Sequence, residues 1–231
     1  MRIKSNLVGT NIYIRNYELA DKLFCTNMWF DKVNGKYLSD PTEEFVDDNF
    51  RQAVDDMYNN PDGYYFIVNR ICDNLRIGTF CAFPDETEQS IDIGYCIHQS
   101  YWRQGYATEC LKMIIEWART QNFTTITAEV AKDNIASCKL LEKFNFKIKK
   151  ESSYKKYHMN IEFKSYIFEY HITNKGKNKP FPGVSQVLLN GRLLQSTAMD
   201  CTVHCSRLYG PLQRTIQSAA GDCSNPTDRQ A

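Results

Sequence analysis

Residues 102–108, Trp-Arg-Gln-Gly-Tyr-Ala-Thr, put two small side chains, Gly105 and Ala107, at the head of a stretch with helical periodicity. Apolar side chains recur from there at Ala107, Cys110, Leu111, Ile114 and Ala118, which is one face of a helix. The first N–H groups of a helix have no acceptor within it, and the helix dipole adds positive potential at that end. Such a start suits an anion such as a diphosphate. Gly105 has no side chain to obstruct the approach to the main chain. One glycine at a helix start is common, however, and by itself names no ligand.

The elements around this loop must therefore carry the argument. Upstream, Ile91, Ile93, Tyr95 and Ile97 alternate with Asp92, Gly94, Cys96 and His98, the period of a strand. Gly94 within that run predicts a bulge or a close backbone approach. Strand, loop and helix thus follow one another from Ile91 to Arg119. Ahead of them the pattern predicts a strand over 7–16 and a helix over 17–30 carried by Leu19, Leu23, Phe24 and Trp29. A second helix opens at Asp40-Pro41-Thr42, capped by Asp40 or Thr42, with Phe45, Val46, Phe50, Ala53, Val54 and Met57 inward. Strands over 64–70 and 76–83 form a hairpin through Asp73-Asn74, and the fourth strand spans 89–98. After the helix over 103–121 come a fifth strand over 124–131, a helix from Asp133-Asn134 to Phe144, and closing strands over 146–151 and 161–172. The fourth and fifth strands flank one helix, so a right-handed crossover makes them parallel. The fold class is α/β, a mixed and mostly antiparallel sheet flanked by helices. Residues 175–231 hold two aromatics, Phe181 and Tyr209, among many turn formers, and are expected to be a disordered or loosely docked tail to a domain over 1–174.

Two strings raise the specificity. YWRQGYATE between a strand and an amphipathic helix, and KDNIASCKLLEKFNF downstream, together resemble the Gcn5-related N-acetyltransferase (GNAT) superfamily, in its ribosomal-protein-acetyltransferase-like (RimJ/RimL-type) branch. The resemblance covers about residues 7 to 172. Gly105 and Ala107 match the pattern of the cofactor loop. Trp102 stands where the family has Gln or Arg, Arg103 where this branch often has Gly, and Asn145 where a Gly is usual. The resemblance implies the GNAT fold with strands four and five parallel and splayed, and acetyl-CoA as cosubstrate. It places the diphosphate on amides of Arg103, Gln104, Gly105, Tyr106, Ala107 and Thr108. The pantetheine arm would pair with the fourth strand at Cys96 and Ile97, the Ile97 N–H facing the thioester oxygen. By the same resemblance Asn134 bonds the arm, and Ser137 hydrogen-bonds or protonates the leaving thiolate. Leu140 and Leu141 stand where many relatives have a Tyr acid. A helix cap and an ordinary helix serine are the plain alternative for Asn134 and Ser137.

Acetyl transfer to an amine needs a base, because a free alkylammonium has a pKa near ~10.4. Asp92 and Glu129, on the two central strands, are the candidates, acting directly or through water; the alternative for each is a surface or edge carboxylate. His98, Tyr95 and His158 rank behind them. Between Asp40 and Asp62 eight acids (Asp40, Glu43, Glu44, Asp47, Asp48, Asp55, Asp56, Asp62) face one base, Arg51, and Asp85, Glu86, Glu88 and Asp92 follow. By resemblance these regions border the acceptor cleft. The expected acceptor is then a cationic primary amine, such as a polyamine, an aminoglycoside-like antibiotic or a protein N-terminus. A solvated acidic helix face is the alternative. Lys132, Lys139, Lys143, Lys147, Lys149 and Lys150 could meet the 3′-phosphate of the nucleotide, or face solvent.

Composition bounds the rest. A net charge of +1 argues against a nucleic-acid binder, and no apolar run reaches the ~20 residues that cross a bilayer. The polar start is unlike a secretory signal. Cys72, Cys81, Cys96, Cys110 and Cys138 fall in predicted elements as small buried residues, which fits a reducing cytoplasm. Cys201, His204 and Cys205 lack further ligands at metal-site spacing, so no metal is expected. Transfer is expected to be direct, in a ternary complex, with no acetyl-cysteine; a homodimer is compatible with the family. A non-catalytic acetyl-CoA sensor or interaction module is the alternative function.

Overall fold

The computed structural model describes residues 1–172 and Thr202–Val203. Its frame is one sheet. In chain order the strands are β1 (Leu7–Val8), β2 (Ile12–Asn16), β3 (Tyr64–Arg70), β4 (Arg76–Asp85), β5 (Ser90–Ile97), β6 (Thr125–Ala131), β7 (Lys147–Lys155), β8 (Glu162–His171) and β9 (Thr202–Val203). They lie in the order β1-β2-β3-β4-β5-β6-β8-β7, with β9 against β5. Neighbours are antiparallel except β5 and β6, which run parallel as the crossover argument requires. Four helices flank the sheet: α1 (Lys22–Trp29), α2 (Asp48–Asp56), α3 (Tyr106–Thr120) and α4 (Ile135–Lys143).

Strand alternation divides the sheet into two faces. Ile91, Ile93, Tyr95 and Ile97 of β5 and Ile126, Ala128 and Val130 of β6 pack against Cys110, Leu111 and Ile114 of α3 and Leu141 of α4. Cys96 and, on β3 and β4, Tyr65, Ile67 and Cys81 turn to the other face, where Cys25, Met28 and Trp29 of α1 and Phe50 and Val54 of α2 cover them. The same alternation sends Asp92, Gly94, Thr127 and Glu129 to this second face.

Several sequence expectations change. The first strand is a hairpin: β1 folds back on β2, pairing Leu7 with Ile14, because the chain turns at Gly9–Asn11. A Cβ added at Gly9 would meet a Glu109 carboxylate oxygen at 2.4 Å, so a larger residue there must displace the Glu109 side chain. Leu19 and Leu23 do not form the inward stripe of α1; both are exposed, and Cys25, Met28 and Trp29 are buried instead. The second helix begins late. Asp47, not Asp40 or Thr42, caps it, its carboxylate accepting the Phe50 N–H at 2.8 Å, and Phe45 is exposed. Cys72 is exposed in the β3–β4 turn. Gly94 makes no bulge: the β4–β5 ladder runs without a register shift from Gly78↔Ile97 to Asp85↔Ser90. The Asp73-Asn74 turn stands as read, with Asn74 at φ 59°, and Asn145 ends α4 at φ 65° in the left-handed role expected of it. The expected tail lies outside the described residues apart from Thr202–Val203, as do Cys201, His204 and Cys205.

Candidate functional site

The loop before α3 is held at its start by two bonds from Trp102. The Trp102 N–H donates to the Gln99 carbonyl at 3.1 Å, and its indole Nε1 donates to the Ile97 carbonyl at 2.6 Å. Trp102, which departs from the family pattern, thereby ties the loop to the end of β5. Arg103 takes φ 60°, a left-handed conformation that glycine adopts more easily, and Gly105 takes φ 84° as the helix N-cap. A Cβ on Gly105 would meet nothing within 4 Å, so the space above it is open. The N–H groups of Gln104, Gly105, Tyr106, Ala107 and Thr108 have no acceptor among the described residues. These five donors lie at the positive end of a 15-residue helix, a geometry that suits an anion.

Beside the loop the sheet forks. β5 and β6 pair only at Ser90↔Thr125, Ile91↔Ile126 and Asp92↔Thr127. Beyond Asp92 the strands part. The His98 N–H donates to the Ile77 carbonyl at 2.9 Å, which makes Gly78↔Ile97 a wide, non-hydrogen-bonded pair of the antiparallel ladder. The main-chain N–H and C=O of Ile97, and by the same alternation of Tyr95, therefore turn away from β4 and into the fork. The main chain of Cys96 turns to Thr79 of β4 instead. Of the two strand positions expected to meet the pantetheine arm, Ile97 turns its main chain to the fork and Cys96 does not; Tyr95, which sequence reasoning did not name for the arm, shares the orientation of Ile97. The signal was available, since alternate residues of one strand share an edge.

The two carboxylates of the central strands are not edge residues: Asp92 and Glu129 are each 4% exposed. Asp92, at the last rung before the fork, accepts the Thr127 hydroxyl at 2.8 Å. Glu129 stands two residues further along β6 on the same face and accepts the Ser165 hydroxyl at 2.6 Å. Burial is the main cause that raises its pKa; the Ser165 and Ser152 hydroxyls pull it down, and the charge of Asp92 pushes it up. Asn134 caps α4, its side-chain oxygen accepting the Ser137 N–H at 3.2 Å, and both residues are buried. His98 caps a single helical turn through Nδ1, and His158 is exposed beside Asp47. Among the described residues no cluster of three or more metal-ligand side chains occurs.

On the second face a small, mostly apolar cavity of about 30 Å³ reaches β5 at Gly94 and Cys96, walled by Trp29, Leu38, Asp40 and Cys81. The Trp29 indole is anchored on the Thr79 hydroxyl at 3.1 Å. The segment that brings Leu38 and Asp40 here is gripped from the end of β7. The Lys156 ammonium, 5% exposed, donates to the carbonyls of Gly35 and Asp40 at 2.7 and 2.9 Å, and the Tyr154 hydroxyl donates to the Tyr37 carbonyl at 2.6 Å. Sequence reasoning left residues 31–39 without a role. Of the acidic run, Glu43 pairs with Arg51, Glu44 with Lys32 and Asp55 with Lys22, so part of its charge is neutralised at the surface.

The comparisons with known proteins agree with this geometry. The acetyltransferase (GNAT) domain family matches residues 11–147. The chain is 35% identical over 100 residues to the uncharacterized N-acetyltransferase YjdG of Bacillus subtilis, covering 42% of this chain and 54% of that one, so the match spans about half of that relative's length. It is 28% identical over 148 residues to the uncharacterized N-acetyltransferase p20 of Bacillus licheniformis, covering 61% and 81%. Among solved structures, spermidine N-acetyltransferase from Vibrio cholerae, in complex with CoA and spermine, superposes with TM-score 0.59 at 15% identity over 71% of this chain and 96% of that one. RimL, a ribosomal L7/L12 alpha-N-protein acetyltransferase in complex with CoA, gives 0.61 at 15% over 73% and 98%. A forked sheet, a loop of unpaired amides at the fork, and a family match over more than half of the sequence lead to one statement: the chain belongs to the acetyltransferase (GNAT) family.

Proposed function

We propose that this protein moves an acetyl group from acetyl-CoA to a primary amine by direct attack within a ternary complex. The observation that carries the reading is the adjacency of the α3 amides to the fork. A diphosphate has donors from Gln104 to Thr108. A pantetheine arm running from it along β5 meets the main-chain groups of Tyr95 and the N–H of Ile97, whose carbonyl takes the Trp102 indole. The Ile97 N–H is then the donor for the oxyanion that forms as the amine adds to the thioester carbon. Losing a donor of this kind typically costs ~2.7–4 kcal/mol of transition-state stabilisation. Glu129 is the favoured base, since its raised pKa brings it closer to the amine it must deprotonate, with Asp92 as its neighbour in charge. Ser137 remains the group assigned to the leaving thiolate. An acetyl-cysteine is disfavoured at Cys138, where burial lifts the thiol to about 11 and leaves little thiolate.

For the acceptor, the acidic run between Asp40 and Asp62 supports a cationic primary amine, such as a polyamine or a protein N-terminus. The test is thiol release from acetyl-CoA with a panel of polyamines, aminoglycosides, arylalkylamines and peptides with free N-termini. Polyamines, aminoglycosides or peptides with free N-termini should exceed arylalkylamines in kcat/KM. The reverse order would overturn the acceptor reading, and no release with any amine would leave the sensor reading.

A further inference from the structure

The β5 edge that faces the fork is already paired. Thr202–Val203 lies antiparallel to it, with Val203 opposite Tyr95 and Thr202 opposite Cys96. The other edge of β5 is taken by β4 along its whole length. β9 therefore occupies the edge that β6 abandons after Asp92, and it also lies beside β6. Tyr95 is one of the two residues whose main-chain groups turn into the fork. A strand edge offers each N–H and C=O once, so a peptide strand and another amide-bearing chain cannot hold the same groups together.

We infer that Thr202–Val203 is an internal competitor for the pantetheine arm: the segment docks on β5 at Tyr95–Cys96 and must leave before acetyl-CoA is fully seated. This rests on the cofactor site proposed above. Pantetheine carries two amide groups and, like a peptide, pairs edge-on with a strand. The competitor belongs to the same chain, so it is present at a fixed effective concentration, and the free enzyme is divided between a strapped and an open form. Only the open form is competent, so apparent affinity for acetyl-CoA falls by the open fraction. A segment docked nine-tenths of the time lowers it about tenfold. The device makes loading respond to acetyl-CoA concentration without altering the chemical step.

The test uses the full chain. Proline at both positions, Thr202→Pro with Val203→Pro, removes two N–H donors and fixes φ, whereas Thr202→Ala with Val203→Ala leaves the main chain able to pair. Acetyl-CoA binding is measured by calorimetry on the parent and both variants, and steady-state kinetics follow with an acceptor amine. The expected result is several-fold tighter acetyl-CoA binding in the proline variant, a matching fall in KM for acetyl-CoA, unchanged kcat, and parental behaviour in the alanine variant. Equal affinity in parent and proline variant overturns the proposal while leaving the cofactor site intact. A proline-sized gain in the alanine variant overturns main-chain pairing as its basis. Absence of acetyl-CoA binding in all three overturns the site reading and the proposal with it.

Discussion

Glu129 is the residue where burial and chemistry meet. Its carboxylate is nearly sealed, and two serine hydroxyls only partly offset the cost of its charge. The folded state therefore binds its proton more tightly than the unfolded chain does. By linkage, stability from this group falls as pH rises through the interval between the ordinary glutamate value and its raised one. As a base, Glu129 works only above that raised value, so the acidic limb of kcat/KM should lie above the ordinary glutamate range. Glu129→Gln should cut kcat by roughly 10²- to 10⁴-fold and abolish that limb in a pH profile. A variant that loses rate but keeps the limb would transfer the role to Asp92. The sequence showed both carboxylates but not their burial, because alternation gives the face a side chain takes and not what covers it.

At the scale of elements, the cofactor loop was legible and the acceptor side was not. Gly105, Ala107 and the periodicity of α3 are local signals, and local signals survive folding. The Lys156 grip on Gly35 and Asp40 joins residues more than a hundred apart, and no spacing rule reaches that far. Trp102 shows the same limit: in the sequence it is only a departure from the family pattern, while in the structure its indole is a strut to Ile97. Trp102→Phe should keep the fold, since one such bond is worth roughly 0.5–1.5 kcal/mol net. It should raise KM for acetyl-CoA with little change in KM for the amine. Burial lowers the Lys156 pKa. The unfolded chain then holds this proton more tightly, so stability from this group rises with pH below the ordinary lysine value. Lys156→Met leaves the two carbonyls without their donor, at about 1–3 kcal/mol, and should flatten that rise in thermal melts followed from neutral to alkaline pH.

For the whole molecule, the sheet works as a partition. The candidate cofactor donors come from the α3 end and the fork edge, a small apolar cavity lies on the α1–α2 face, and β5 is shared by both. The order of elements and the parallel central pair followed from strand and helix periods, and the fork was implied by the family resemblance. The exposed Leu19 and Leu23 did not, because a short apolar stripe reads the same whether a neighbour covers it or water does. One outlying contact joins the far edge of the sheet to this centre. The carboxylate of Glu109, in the first turn of α3, accepts the N–H groups of Thr10 and Asn11 at 2.6 and 2.8 Å and the Asn11 side-chain amide at 2.9 Å. A dianion seated on that turn holds its main chain in place, so solvent deuterium should enter the Thr10 and Asn11 amides more slowly as acetyl-CoA is added. Glu109→Gln should weaken that protection, giving a readout of occupancy at a hairpin that touches neither substrate.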